Sequence, residues 1–264
     1  MPECKVIRVR RSEAFVTSLA LALGLANYTL TSGAATSWLL PTLIIGILAA
    51  SLWVLGIKPS LDPRHSELYA LLILPVILYS GLLVFLRQLG PGIVAYSLII
   101  VSMPVFHLLF LSLSALGCYS SLPNHVGRLI LNVISLLAGY VGYVWLFKFD
   151  PPLLAGLGIV FVISSLLFLQ GIFWWSNANI PYSIFYSALS GLLLTMLYFG
   201  LFFWPLGYLV TGFVMLLGQY VLMGIIQQYF KKNLTRSVVI EHIVVSLILV
   251  TAILMQATWI PNII

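Results

Sequence analysis

The chain has 264 residues, of which 62% are hydrophobic and 7% are charged, and its formal net charge is +6. Soluble domains carry about 25% charged residues and about 45–50% apolar ones, so this composition excludes a water-soluble globular protein, whose surface it could not cover. The basic residues are scattered over several segments, which argues against a nucleic-acid partner. The composition instead predicts a protein that is solvated by lipid.

Nine apolar segments follow one another, each close to the roughly 20 residues that a helix needs to cross a bilayer. Turn-forming Gly, Pro, Asn and Asp residues separate most of them. The predicted helices cover roughly 13–30, 38–57, 67–86, 92–116, 125–146, 153–174, 181–203, 205–227 and 238–258. The weakest break has no charge, but one helix over 181–227 would be about 70 Å long, twice the thickness of a bilayer. A tight hairpin at Trp204-Pro205 is therefore predicted, and the whole chain is predicted to be an all-α polytopic transmembrane helix bundle.

The Lys and Arg residues are divided unevenly between alternate connections. With the N-terminus in the cytoplasm, the cytoplasmic side holds ten of the 12 basic residues: Lys5, Arg8, Arg10, Arg11, Lys58, Arg64, Arg128, Lys231, Lys232 and Arg236. The other side holds Arg87 and Lys148. Cytoplasmic loops carry such an excess, so the pattern predicts nine spans with the N-terminus in and the C-terminus out. Residues 1–264 are predicted to form a single integral membrane domain, with a cytoplasmic basic N-terminus over 1–12 and a transmembrane bundle over 13–258.

The first apolar segment has two interpretations. Basic residues precede it and Ser32-Gly33-Ala34 follows it, as at the cleavage site of a signal peptide. The polar run Asn27-Tyr28-Thr29 and the length of the segment favour a retained helix that packs against others. Cleavage would leave eight helices and the same topology.

His107 is a candidate intramembrane polar site. It lies in the middle of the fourth predicted helix, three residues after Pro104. Ionisable groups at this depth are costly and often functional, whereas a neutral His can bond to the carbonyls that a proline leaves free. All six acidic residues lie at helix ends or in loops, so no carboxylate partner is predicted for it. Packing is the favoured interpretation, and a ligand or proton role is the alternative.

A second candidate is a headgroup site at the cytoplasmic surface. His125 and Arg128 open the fifth predicted helix, and Glu241 and His242 open the ninth, just after a run of basic residues. Arg side chains and helix N-termini bind phosphate groups, so the four residues are candidates for one lipid-headgroup site. The pattern favours the alternative, in which acids stabilise helix starts and bases anchor helix ends at anionic lipid headgroups. Neither HExxH nor GxSxG is present, and no catalytic residue, cofactor or metal site is predicted.

The C-terminal part of the chain, from Ser187 to Trp259, resembles a known family. It carries Leu201-Phe202-Phe203-Trp204-Pro205, then Gly218-Gln219-Tyr220-Val221-Leu222-Met223-Gly224, a basic loop and a last helix that ends in Thr258-Trp259. This pattern is similar to an uncharacterised family of multi-span membrane proteins of unknown function from candidate-phylum bacteria of the Patescibacteria and Microgenomates type. The resemblance implies a location in the bacterial inner membrane and no particular activity.

Three functions follow as hypotheses. The favoured one is a non-enzymatic membrane component or partner of envelope or lipid machinery, in contact with the bilayer, its anionic headgroups and a membrane protein partner. The alternative is a small-molecule or lipid transporter, which requires a polar or lipid-wide cavity at mid-depth. The third is a lipid-headgroup enzyme at the cytoplasmic face, which requires His125, Arg128, Glu241 and His242 around one pocket.

Overall fold

The computed structural model describes residues 11–30, 35–55, 71–89, 91–114, 124–175, 180–204 and 206–256. These ranges contain the helices α1 (Arg11–Leu30), α2 (Ala35–Leu55), α3 (Ile73–Leu89), α4 (Ile93–Ser114), α5 (Asn124–Phe149), α6 (Leu153–Trp175), α7 (Ile180–Phe202), α8 (Tyr208–Phe230) and α9 (Arg236–Gln256). Each helix coincides with one predicted segment, and the all-α fold is confirmed. The third described helix begins at Ile73, after a turn at Leu71 and Leu72, and the first four residues of the predicted segment, 67–70, lie outside the described residues. The orientation and the number of membrane crossings stay predictions.

Five of the described helices are long and apolar enough to cross a membrane: Ile93–Leu113, His125–Phe149, Leu153–Trp174, Pro181–Phe202 and Tyr208–Phe230. Pro41–Leu55, Ile73–Arg87 and Val239–Thr251 are shorter apolar helices. The surface of α9 is also apolar, since Ile243, Leu247 and Ile248 are between 50% and 64% exposed. Soluble monomers rarely expose such large apolar areas, so the fold is compatible with a membrane protein.

The chain divides into two compact units, Met1–Ser135 and Leu136–Ile264, and the boundary falls within α5. In the first unit α1 packs against α2, α3 and α4. The Tyr79 hydroxyl of α3 donates to the carbonyl of Leu21 in α1 at 3.5 Å. Nearer the end of both helices, Arg87 Nη1 donates to the Tyr28 hydroxyl at 3.3 Å. Leu21 and Tyr28 of α1 thus face Tyr79 and Arg87 of α3 in the same order along the chain. The two helices therefore run in the same direction, as expected when each helix is antiparallel to the next one in sequence.

In the second unit, α6 and α7 form a close antiparallel hairpin. Gly156 near the start of α6 faces the hydroxyl of Tyr198 near the end of α7, and Gly191 in the middle of α7 faces Ser165. A residue without a side chain lets two helices approach closely. Apolar side chains of α5 to α8, among them Phe168 and Met215, fill the core between the helices. The glycines therefore set the spacing of the helices and the large side chains fill what remains.

The predicted break between the seventh and eighth segments is confirmed. α7 ends at Phe202 and α8 begins at Tyr208. The amide of Trp204 donates to the carbonyl of Leu201 at 3.1 Å, which closes the end of α7. Pro205, the other half of the predicted hairpin turn, lies outside the described residues. α8 then returns along α7, with Gly218 against Leu197.

Candidate functional site

His107 lies on α4 and is partly buried. Its ring meets the ring of Phe15 in α1 edge to face, with centroids 6.0 Å apart. Its Nδ1 atom is buried and has no hydrogen-bond partner among the described residues. Among the described residues, Nδ1 therefore makes no hydrogen bond to a carbonyl that Pro104 leaves free. The aromatic contact agrees with a packing role, and a ligand or proton role stays a prediction.

The four residues of the predicted headgroup site are divided between the two units. In the first unit, His125 is exposed at the start of α5 and Arg128, one turn later, is partly buried. In the second unit, Glu241 is exposed and His242 is partly buried near the start of α9. A pocket shared by all four residues stays a prediction.

His242 has a packing role within the second unit. Its ring stacks on the ring of Tyr220 in α8, with centroids 5.7 Å apart and planes 23° apart. The same ring lies over Gly224, where an added Cβ would collide with it. One turn further along α9, Ser246 is also buried. His242 therefore occupies a groove that a glycine opens on α8, while Glu241 beside it faces outward.

An aromatic cluster joins the start of α7 to the end of α8. The hydroxyls of Tyr186 and Tyr229 are 2.9 Å apart and form a hydrogen bond. The rings of these two residues and of Phe230 lie within 5.3–5.6 Å of one another. Pro181 in the first turn of α7 fits the helix start, where its missing N–H costs no hydrogen bond. Aromatic rings with one polar edge are typical of the boundary between lipid and water.

The turn that follows this cluster has a fixed backbone. Lys232 has a φ of 57°, which is the left-handed conformation. Its amide donates to the carbonyl of Tyr229, and the amide of Asn233 donates to that of Gln228, both at 3.0 Å. These two bonds are those of a Schellman motif, which usually has glycine at the left-handed position. The motif ends α8 sharply and leaves the side chains of residues 231–237 exposed.

Two open depressions at this turn share Leu234 in their linings. One has a volume of about 490 Å³ and is lined by Tyr229, Phe230, Lys232 and Leu234. The other has a volume of about 340 Å³ and is lined by Leu234, Thr235, Arg236, Val239 and Ile240. Each depression thus combines one cation with mostly apolar walls. Within the described part of the chain, no three His, Cys, Asp or Glu side chains are grouped so that they could hold a metal ion.

Sequence reasoning singled out the polar residues near this turn and missed the aromatic ones. Tyr186 and Tyr229 are 43 positions apart, so only the return of α8 along α7 brings them together. A local signal was present in the run Tyr229-Phe230-Lys231-Lys232, in which aromatic residues precede basic ones at a helix end. That order is typical of a helix that ends at a membrane surface.

The chain matches the family described as "Protein of unknown function (DUF5656)" over residues 16–256. The match runs from α1 to the end of α9, so the chain belongs to this family. The resemblance to an uncharacterised domain is confirmed, and the candidate-phylum origin stays a prediction. No curated protein and no solved structure matches the chain.

Proposed function

We propose that this member of a family of unknown function is a multi-pass integral membrane protein that acts as a non-catalytic component of the membrane. In this proposal it works beside envelope or lipid-handling machinery and transports no solute through the second unit. The excess of basic residues in alternate connections supports an N-terminus in the cytoplasm. The location in a bacterial inner membrane is proposed from the family resemblance.

The observation that carries the proposal is the close packing in the middle of the second unit. Gly139 of α5 lies against the buried Gln219 of α8, and Gly191 of α7 lies against Ser165 of α6. An added Cβ on Gly191 would lie 3.1 Å from the α6 backbone. A transporter needs a substrate site near the midplane of the bilayer, and such a site is typically formed by interrupted helices. Helices that touch through glycines support a packed scaffold instead.

The polar groups within this region also support a packed scaffold. The Tyr143 hydroxyl and Ser164 Oγ form a hydrogen bond of 2.9 Å between α5 and α6. Both residues are no more than 1% exposed. Such bonds join transmembrane helices, because lipid offers polar groups no other partner. The pair therefore serves the cohesion of the helices, with no solvent access for chemistry.

Cysteine labelling tests this proposal with three matched Ser→Cys changes in a chain whose Cys4 and Cys118 have been replaced by Ser. Ser164→Cys and Ser190→Cys probe the buried middles of α6 and α7, and Ser237→Cys probes the exposed start of α9. A membrane-impermeant maleimide is added to sealed vesicles of each orientation. We expect Ser237→Cys to react from the cytoplasmic side alone. The two buried cysteines should react only after the protein has been unfolded in SDS.

Reaction of either buried cysteine in the folded protein would contradict the proposal. It would show that water reaches the middle of the helices, as it must in a transporter. Reaction of Ser237→Cys from the outer side alone would reverse the proposed orientation. A circular dichroism spectrum of each variant checks that the substitutions preserve the helices.

A further inference from the structure

The turn between α8 and α9 carries more positive charge than the residues around it neutralise. Lys231, Lys232 and Arg236 are all exposed, and Glu241 is the acid nearest to them along the chain. In the described part of the protein, neither Lys232 nor Arg236 takes part in an ion pair. Two cations of the turn are thus available for an external anion.

Each of these two cations lines a depression whose other lining residues are mostly apolar. Lys232 shares its depression with Tyr229, Phe230 and Leu234, and Arg236 shares the other with Leu234 and the aliphatic side chains of α9. Leu234 lies between two polar residues of the turn, and this apolar residue is 40% exposed. A free anion gains nothing from such walls. A molecule that has an anionic head and hydrocarbon chains complements both features, because burial of methylene groups and charge pairing then act together.

We infer that the α8–α9 turn binds one anionic glycerophospholipid, with its headgroup phosphate between Lys232 and Arg236 and its acyl chains beside Leu234. The inference rests on the proposed function, since it requires the turn to lie at a membrane surface. Tyr229 lines one of the two depressions, and its hydroxyl is hydrogen-bonded to that of Tyr186, so a polar aromatic pair lies beside the site. The bound lipid is a partner of the turn, and no reaction on it is involved.

The test measures the affinity of the full-length protein, in phosphatidylcholine nanodiscs, for added phosphatidylglycerol. Native mass spectrometry of the released protein counts the lipids that stay bound. Each basic residue near an anionic surface contributes an interaction that corresponds to roughly a fivefold change in affinity, so Lys232→Gln together with Arg236→Gln should weaken binding roughly 30-fold. Leu234→Asn should also weaken it, because the apolar wall is lost.

Two further variants separate binding from folding. Lys232→Gly removes one cation at a left-handed position that glycine prefers, so it should weaken lipid binding roughly fivefold while the thermal stability stays the same or rises. Lys148→Gln removes a cation near the opposite end of α8, where Lys148 lies 5.7 Å above the ring of Tyr208. This control should change the affinity less than twofold.

Three results would overturn the inference. The first is that the native protein retains phosphatidylcholine and phosphatidylglycerol equally. The second is that Lys232→Gly leaves the affinity for phosphatidylglycerol unchanged. The third is that inorganic phosphate displaces the lipid at equal concentration. The last result would identify a site for free anions, and either of the first two would show that the turn does not select an anionic lipid through its cations. The cysteine labelling of α6 and α7 is independent of these outcomes, so failure here would leave the proposed function standing.

Discussion

Gly191→Ala is expected to destabilise the second unit through a single added methyl group. The new Cβ would overlap Ser165 Oγ and lie 3.1 Å from the carbonyl oxygen of Phe161. The Ser165 hydroxyl can rotate away, but the carbonyl belongs to the α6 backbone and moves only if the two helices separate. Overpacking by one methyl group costs about 1–3 kcal/mol. Alanine regains about 0.5–1 kcal/mol of that cost, because glycine is the poorer helix former.

Gly200→Ala is the matched control on the same helix. Gly200 is exposed, and an added Cβ there would meet nothing within 4 Å. This variant should therefore be unchanged or more stable by up to about 1 kcal/mol. The difference between the two variants isolates the cost of crowding α6 against α7, which should be about 1–3 kcal/mol.

The assay is reversible unfolding by SDS in mixed micelles, followed by the fluorescence of the seven Trp residues. Ser165→Ala in the Gly191→Ala background should recover part of the loss, because it removes the overlapped oxygen and leaves the backbone contact. If Gly191→Ala proves as stable as Gly200→Ala, the close packing of α6 on α7 is refuted. The packing argument for the proposed function would then fail with it.

Three further predictions address the buried polar groups and the topology. A double-mutant cycle of Tyr143→Phe and Ser164→Ala should give a coupling energy of about 1 kcal/mol in the same unfolding assay, and additive effects would exclude their hydrogen bond. A reporter fused after Ile264 should register outside and one inserted near Asn233 inside, and the same side for both would rule out nine spans. His107→Gln should cost less than about 1 kcal/mol and leave cellular function unchanged if the ring only packs. Loss of function at normal abundance would instead establish a ligand or proton role.

The positions of the helices were largely predictable from the sequence. Each apolar run is long enough to be a helix, and each break contains residues that end one, as at Asp150-Pro151 between α5 and α6. These are local properties, because the length of a run and the chemistry of a turn act within a few residues. Even the uncharged break before Tyr208 could be placed, since one uninterrupted helix would exceed the bilayer.

The contacts between helices depended on the tertiary structure. Gly191 and Gly200 lie on the same apolar helix, and nothing in their neighbourhood distinguishes the glycine that faces Ser165 from the one that faces open space. A soluble helix shows its buried side by an apolar stripe, but a helix that is apolar all round has no such stripe. The same holds for the α8–α9 turn, where the basic residues were visible in the sequence. Their aromatic neighbours could be identified only from the tertiary structure. The antiparallel packing of α8 on α7 is what brings Tyr229 to Tyr186.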